Sequence, residues 1–226
     1  MTAETYYKEK MLPEIAAFHQ EIMQKMNSTE EIEALYFGWR VWFSQISDNP
    51  EILFIGINPG SGEDGNDDFE PDGELQYIND ESKRFHLKND TTEVFKDIAK
   101  FDLQNCVKTN YYYLATESPK DIETITTFLG RQADQKGLGD KFYYNAKKWT
   151  SEIINIVKPQ LIICEGVKAF DDVTKYVLGL KINRCKSDDV VKIYYEQLGI
   201  NIIGYKRRKG GAIVNKGLLK SVLLAL

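Results

Sequence analysis

The residues best suited to chemistry lie at the end of a short apolar segment, EILFIGI, and directly after it. They are Gly56-Ile57-Asn58-Pro59-Gly60. Proline fixes its own φ and keeps the preceding Asn out of the helical region, and the final glycine lets a ligand approach the backbone. An Asn amide at such a turn offers both an acceptor and donors to a water molecule or a polar ligand. The same tripeptide also makes ordinary structural turns, which is the alternative interpretation.

A second candidate site is a run of basic residues near the end of the chain. Residues 200–226 contain six Lys or Arg and no acidic residue. Four of the six are consecutive and are followed by Gly210: Lys206, Arg207, Arg208 and Lys209. Adjacent positive charges on a glycine-flanked loop suit a phosphate backbone, because glycine lets the main chain come close to phosphate. A solvated turn is the alternative.

An acidic segment opposes this basic run. Residues 63–74 include seven Asp or Glu and no basic residue. Compared with a calcium-binding loop that starts at Asp64, the segment has Phe69 where glycine is required and Leu75 where the bidentate Glu belongs. We therefore expect a solvated acidic loop and no metal site.

Composition narrows the class of protein. The chain has 226 residues, a formal net charge of −5 and 42% hydrophobic residues, which excludes a disordered or collagen-like protein. Its three cysteines are far apart, so we expect reduced thiols, no iron–sulfur cluster and no cofactor. The N-terminus is polar, and no apolar stretch reaches the roughly 18 residues of a membrane span. These features predict a cytoplasmic protein that does not bind membranes.

The hydrophobic pattern predicts strands and helices that alternate along most of the chain. The expected strands are residues 51–57, 106–113, 161–164, 190–195 and 200–205, and the expected helices are residues 5–26, 28–46, 91–100, 120–130, 139–157, 168–178 and 214–226. Such alternation favours an α/β domain with a mostly parallel sheet covered on both faces. Ligands of these sheets bind at the carboxyl ends of the strands. Asn58, Asn110, Glu165 and residues 205–211 all lie towards or just after the carboxyl ends of predicted strands.

The strand that runs into Asn58 resembles the first motif of the uracil-DNA glycosylase superfamily, especially its mismatch-specific and single-strand-selective branches, where a strand ends in Gly-x-Asn-Pro-Gly. Residues 107–110 (VKTN) look like the family's middle strand, and residues 161–169 (LIICEGVKA) are similar to its late strand–Gly–x–x–Ala–helix unit. The resemblance covers roughly residues 50–226. It implies a three-layer α/β/α sandwich with a central, mostly parallel four-stranded sheet. Residues 1–226 would form this one domain, with residues 1–48 as an N-terminal helical extension.

The resemblance also implies roles for single residues. Asn58 would hold the attacking water, and Asn110 would read the flipped base, with Gly56 and Ile57 lining the slot. An aromatic ring should hold the base. The candidates in the long loop that follows the first strand are Phe69, Tyr77 and Phe85. The residues expected to bind DNA phosphates are Lys206, Arg207, Arg208, Lys209 and Gly210.

The chain departs from the family at its last motif. The family has a His-Pro-Ser or Asn-Pro-Ser loop after the final strand, whereas this chain has YKRRKGG over residues 205–211. Its two histidines, His19 and His86, lie elsewhere in the sequence. Stabilisation of the leaving base would then come from backbone N–H groups, from Tyr205 or from a basic side chain.

Three hypotheses follow. The first is a monomeric, uracil-DNA glycosylase-like hydrolase that cleaves the N-glycosidic bond of uracil, or of a related damaged base, in DNA by attack of a positioned water. The second is a non-catalytic protein of the same fold that binds nucleic acid or a nucleotide, which the missing last motif favours. The third is reuse of the fold for an unrelated ligand or protein partner.

Overall fold

A five-stranded sheet forms the centre of the protein. The computed structural model describes residues 1–60, 67–71, 73–75, 77–78, 86–130, 137–208 and 210–226. The strands are β1 (Ile52–Gly56), β2 (Cys106–Asn110), β3 (Leu161–Cys164), β4 (Val190–Tyr195) and β5 (Ile200–Tyr205). Their spatial order is β2-β1-β3-β5-β4. The first four strands in that order are parallel, and β4 pairs antiparallel with β5.

The expected α/β class and mostly parallel sheet are confirmed, but the count of four strands that the family resemblance implies is wrong. The additional strand is β4, at one edge of the sheet. A short turn joins it to β5, in which the Gly199 N–H donates to the Tyr195 carbonyl at 2.9 Å and Gly199 has φ +67°. A connection this short can only join antiparallel neighbours, because a parallel pair needs a long crossover.

Helices account for most of the remaining structure. The α-helices are α1 (Ala3–Tyr6), α2 (Leu12–Met26), α3 (Glu30–Glu33), α4 (His86–Phe95), α5 (Pro119–Phe128), α6 (Leu138–Val157), α7 (Val167–Asp172) and α8 (Lys216–Leu224), with π-helical segments at Tyr7–Met11 and Val173–Val177 and a 3₁₀ turn at Leu103–Asn105. Within the described ranges, none of these helices has the length and hydrophobicity needed to cross a lipid bilayer.

The prediction of a second long helix over residues 28–46 is wrong. Only Glu30–Glu33 is α-helical, and the chain then runs along the outer edge of β2. There the Phe43 N–H donates to the Lys108 carbonyl at 3.0 Å, and the Lys108 N–H donates to Ser44 Oγ at 2.9 Å. An edge strand leaves backbone groups unpaired. The hydrogen bonds that this segment makes with those groups favour the extended conformation over the helix that its local sequence pattern predicts.

The sheet buries a hydrophobic cluster on each face. Leu53 and Ile55 of β1 face α2, α5, α6 and α7 in the larger cluster, which also contains Trp39 and Trp42 as expected of core residues. Phe54 points to the opposite face, towards α4 and α8. This alternation is the ordinary two-residue period of a strand. Because both faces are covered, the open positions of the sheet lie at the ends of its strands.

The packing of α7 on β5 gives a test of the fold. A Cβ atom at Gly204 would lie 2.5 Å from the Phe170 Cβ, so Gly204→Ala forces backbone or side-chain shifts. We expect a loss of about 1–3 kcal/mol in the free energy of unfolding, measured by urea denaturation. Gly217→Ala is the matched control, since its Cβ would meet nothing closer than 3.9 Å and alanine favours a helix by up to about 1 kcal/mol. Equal stability of the two variants would contradict the described packing.

Candidate functional site

The polar residues at the carboxyl ends of the parallel strands lie on one face of the sheet. Gly56 pairs with Asn110 in the register of β1 and β2, and Phe54 pairs with both Lys108 and Ile163. Because side chains alternate along a strand, Gly56, Lys108 and Asn110 share the face of Phe54. Glu165, two residues after Ile163, falls on the same face. Strand β2 and the residue after β3 therefore bring an amide, a lysine and a carboxylate together over the end of β1.

Asn58 is held in one orientation by the start of α5. Its Nδ2 donates to Thr116 Oγ1 at 3.0 Å and to the Thr116 carbonyl at 3.3 Å. Thr116 is fully buried, and its hydroxyl donates onward to the Ser118 carbonyl at 2.8 Å. A carbonyl can only accept, so the amide nitrogen must face Thr116. No described residue donates to Asn58 Oδ1, which faces away from Thr116 and can accept from a ligand or a water.

Asn110 lies over Gly56. A Cβ atom at Gly56 would be 2.0 Å from Asn110 Oδ1 and 3.4 Å from Glu165 Oε2. The absence of a side chain at Gly56 is thus what allows the amide and the carboxylate to approach each other. Asn110 is only 3% exposed. The structure therefore brings Asn58 and Asn110 to the same edge of the sheet, on adjacent strands.

Lys108 and Glu165 form a buried pair next to Asn110. Lys108 Nζ lies 2.5 Å from Glu165 Oε2 and also donates to the Tyr77 hydroxyl at 2.5 Å. The two charged side chains are 4% and 1% exposed. Glu165 Oε1 is also buried, and no described residue forms a hydrogen bond with it. A buried polar atom without a hydrogen-bond partner lowers the stability of the fold. Glu165 Oε1 is therefore a group of this site that a bound ligand would stabilise.

Burial brings the proton affinities of the two groups closer together. Desolvation raises the pKa of Glu165 to about 8, opposed by the positive charge of Arg207. Desolvation lowers the pKa of Lys108, and Arg207 lowers it further. These opposite shifts bring the charged arrangement, lysinium with carboxylate, closer in free energy to the neutral one, amine with carboxylic acid. Coupled groups of this kind titrate as a unit.

The basic run does not form one continuous phosphate surface. Lys206 turns towards Asp189, with Nζ 3.4 Å from Oδ1, whereas Arg207 donates from Nη1 to the Glu165 carbonyl at 3.1 Å. Arg208 and Gly210 are exposed, and Lys209 lies outside the described residues. The segment is a tight hairpin, in which the Arg208 N–H donates to the Ala212 carbonyl at 2.8 Å. Alternation along this hairpin sends neighbouring side chains in different directions.

Ion pairs neutralise other charges of the C-terminal segment. Lys216 on α8 pairs with Asp90 at 3.2 Å and with Glu93 at 2.5 Å, and Lys220 pairs with Asp97 at 2.6 Å. All three acidic partners lie on or directly after α4. Within the described part of residues 200–226, Arg207 and Arg208 are therefore the basic residues that no described carboxylate pairs with.

The described part of the acidic segment packs against the N-terminal region. Asp67 accepts from the Tyr36 hydroxyl and lies 3.2 Å from His19 Nε2, and Asp68 pairs with Arg40 at 3.2 Å. Residues 63–66 and 72 lie outside the described ranges. The carboxylates of Asp67 and Asp68 are thus engaged away from the basic hairpin.

The three aromatic candidates have different positions. The Phe69 ring packs 5.2 Å from the ring of His19. Tyr77 is 2% exposed and lies beneath the site, with Lys108 Nζ 4.5 Å from its ring centroid. Phe85 lies outside the described residues. Ile57 is half-buried against the larger hydrophobic cluster.

A histidine lies closer to the basic hairpin than its sequence position indicates. His86 is the first residue of α4 and not a loop residue, and a Cβ at Gly210 would be 3.9 Å from its Cδ2. Tyr205, in contrast, is 1% exposed and lies in the core of the α4 and α8 face. A basic side chain, and not Tyr205, is therefore the group available near the strand ends.

Sequence reasoning missed Lys108 and Thr116 as site residues and gave Glu165 no role. One signal was present: a lysine at the centre of a predicted buried strand requires a charged partner, and Glu165 directly follows another buried strand. Thr116 carried no such signal, because its contact with Asn58 depends on the path of the chain after β2.

A scan against models of protein families found no match, and a search of curated proteins found none either.

The buried pair can be tested by a double-mutant cycle. Lys108→Met leaves a carboxylate and Glu165→Gln leaves a lysine without its partner, so each single variant should lose about 3–5 kcal/mol of unfolding free energy. Lys108→Met/Glu165→Gln should be less destabilised than the sum of the two, because it buries no unpaired charge. Urea denaturation measures all four proteins. Additive losses would mean that the two side chains do not interact.

Proposed function

We propose that the protein is a uracil-DNA glycosylase-like hydrolase that removes uracil, or a related damaged base, from DNA. The observation that carries the proposal is the fixed amide of Asn58, whose oxygen is free to accept while Asn110 lies on the adjacent strand end. The parallel order β2-β1-β3-β5, with helices on both faces, fits the three-layer sandwich that the sequence resemblance implies.

Asn58 acts by positioning. Its Oδ1 accepts a hydrogen bond from the attacking water and aims it at the sugar C1′. An amide is too weak a base to take the proton early, so the rate depends on orientation and on an oxocarbenium-like transition state. The bond from Asn58 to Thr116 keeps the amide from rotating, which preserves the acceptor for the water.

Asn110 reads the base once it has left the stack. Its amide offers both an acceptor and a donor, which match the N3–H and O4 of uracil. Because Asn110 is nearly buried, the hydrogen bonds would form away from bulk water, where an unmatched polar edge is costly. This mismatch cost would discriminate against cytosine, which presents the reversed pattern.

Arg207 takes the place of the missing last motif. Its guanidinium donates to the Glu165 carbonyl, which places a positive charge next to Glu165 at the strand ends, where it would offset negative charge on a departing base. Arg207 is itself exposed, so this stabilisation is weaker than it would be in a site fully shielded from water. Arg208, exposed on the same hairpin, remains available for a DNA phosphate.

Binding without cleavage is the second candidate function. The observation in its favour is that the hairpin that follows β5 carries Arg207 and Arg208 and none of the residues of the family's last motif. A binding protein would use the same edge of the sheet for a nucleotide or a strand of nucleic acid and would leave the glycosidic bond intact.

Cleavage of uracil-containing oligonucleotides tests the catalytic proposal. We expect wild type to produce abasic sites on single- or double-stranded substrate without added metal. Asn58→Ala should reduce kcat by about 100-fold or more with little change in KM, since it removes water positioning. Thr116→Val frees the Asn58 amide to rotate, so it should lower kcat by about 10-fold.

Hypoxanthine and mismatch oligonucleotides belong in the same assay, because the target is uracil or a related base. Product formation that is equal for wild type and Asn58→Ala, or absent from all substrates, would exclude this mechanism.

Salt dependence of DNA binding tests the hairpin. Arg208→Glu should weaken binding to oligonucleotides of every sequence and lower the slope of log K against log salt by about 1. Lys192→Glu makes the same change of charge on β4 and should leave binding unchanged. Fluorescence anisotropy at several salt concentrations measures both variants. An equal effect of the two would indicate attraction by net charge and not by the hairpin.

A further inference from the structure

The two oxygens of Glu165 have different surroundings. Oε2 is shared with Lys108 at 2.5 Å, and Oε1 is buried without a hydrogen-bond partner among the described residues. The carboxyl group is also next to the base-reading position, because Oε2 and Asn110 Oδ1 both lie within 3.4 Å of the empty Cβ position of Gly56. An unpartnered oxygen beside the base site is a group that a ligand could satisfy.

We propose that Glu165 is the general acid that protonates the departing base, with Lys108 as the reservoir of its proton. The inference rests on the proposed function and adds a catalytic residue that the sequence resemblance does not contain. It also supplies what the missing last motif leaves open, namely how the base leaves without a full negative charge.

Protons and electrons balance through the pair. As the C1′–N bond breaks, its electrons pass into the base, and a ring oxygen or nitrogen of the base takes a proton from Glu165 Oε1. A water oxygen bonds to C1′ and loses one proton to solvent, and the pair regains one proton from solvent before the next turnover. In the acid form, the Lys108 amine still donates an N–H to Oε2 and can accept from the Tyr77 hydroxyl. The net reaction adds one water across the glycosidic bond.

The charged and titratable groups around Glu165 support this role. Lys108 approaches from β2, Tyr77 from the loop before α4, Tyr205 from β5 and Arg207 from the hairpin that follows it. Arg207 stabilises the carboxylate that remains after proton transfer. Burial raises the pKa of Glu165 to about 8, so the acid form is available at neutral pH and is lost as the pH rises through that value.

The pH dependence of cleavage separates an acid catalyst from a structural pair. For wild type, kcat on uracil should fall about tenfold per pH unit above pH 8, the pKa of Glu165. Glu165→Gln keeps the shape of the side chain and removes the proton, so it should lower kcat by about 100-fold at pH 7 and remove the descent above pH 8. Asp172→Asn removes another buried carboxylate, which pairs with Lys168, and should keep both the rate and the profile.

The leaving base gives a second readout. Fluorine on the base withdraws electrons and stabilises the departing anion, so 5-fluorouracil needs less help from an acid than uracil does. The factor by which Glu165→Gln lowers kcat should therefore be about tenfold smaller on 5-fluorouracil than on uracil. Lys108→Met/Glu165→Gln, which has no unpaired buried charge, should show the same pattern and excludes misfolding as the cause.

The outcomes distinguish the two proposals. One outcome is that Asn58→Ala is inactive, while Glu165→Gln keeps the wild-type pH profile and has kcat lowered by the same factor on uracil and 5-fluorouracil. In that case Glu165 is not the general acid, and the glycosylase proposal stands. Absence of cleavage by wild type on every substrate overturns both. A loss that is larger on uracil and is accompanied by a flat profile supports Glu165 as the acid.

Discussion

A lysine in the middle of a buried strand must find its acceptors inside the protein, and the arrangement around Lys108 follows from that requirement. Its ammonium reaches over β1 to Glu165 on the far side, because β1 lies between β2 and β3 in the sheet. The carboxyl group lies at the end of β1, where Gly56 has no side chain to occupy the space. Asn110 uses the same space. The missing Cβ of Gly56 on β1 therefore allows polar groups from β2 and from the end of β3 to meet at one point.

Two different devices hold the neighbouring groups. Asn58 is fixed by hydrogen bonds to Thr116 at the entrance to α5, a neutral network of fixed geometry. Glu165 is held by charge, through Lys108 and through the approach of Arg207 to its carbonyl. The first device sets direction, and the second sets the availability of a proton. The proposed hydrolysis of an N-glycosidic bond would need both, since water must approach from one side while the base departs from the other.

Much of this arrangement could be predicted from residue types and spacing. The apolar runs before Asn58 and Glu165 indicate buried strands, and the parallel rule places their ends together. The Lys108–Glu165 pair was harder to foresee, because strand order determines that only one strand separates the two residues. The helix expected over residues 28–46 does not form for a related reason. This segment forms hydrogen bonds with the edge of β2, and the local hydrophobic pattern gives no sign of that tertiary contact. The roles of Phe85 and Lys209 stay predictions.

The segment that pairs with β2 makes the N-terminal region an integral part of the domain. Residues 39–44 supply hydrogen bonds to the outer edge of the strand that carries Lys108 and Asn110. Trp39 and Trp42 are part of the main hydrophobic cluster. A chain shortened to begin at residue 49 would expose an unpaired strand edge with apolar flanks, which is a template for strand addition by a second molecule. Such a truncated protein would self-associate through β2. Lys108 would lose the backbone hydrogen bonds that it makes with Phe43 and Ser44.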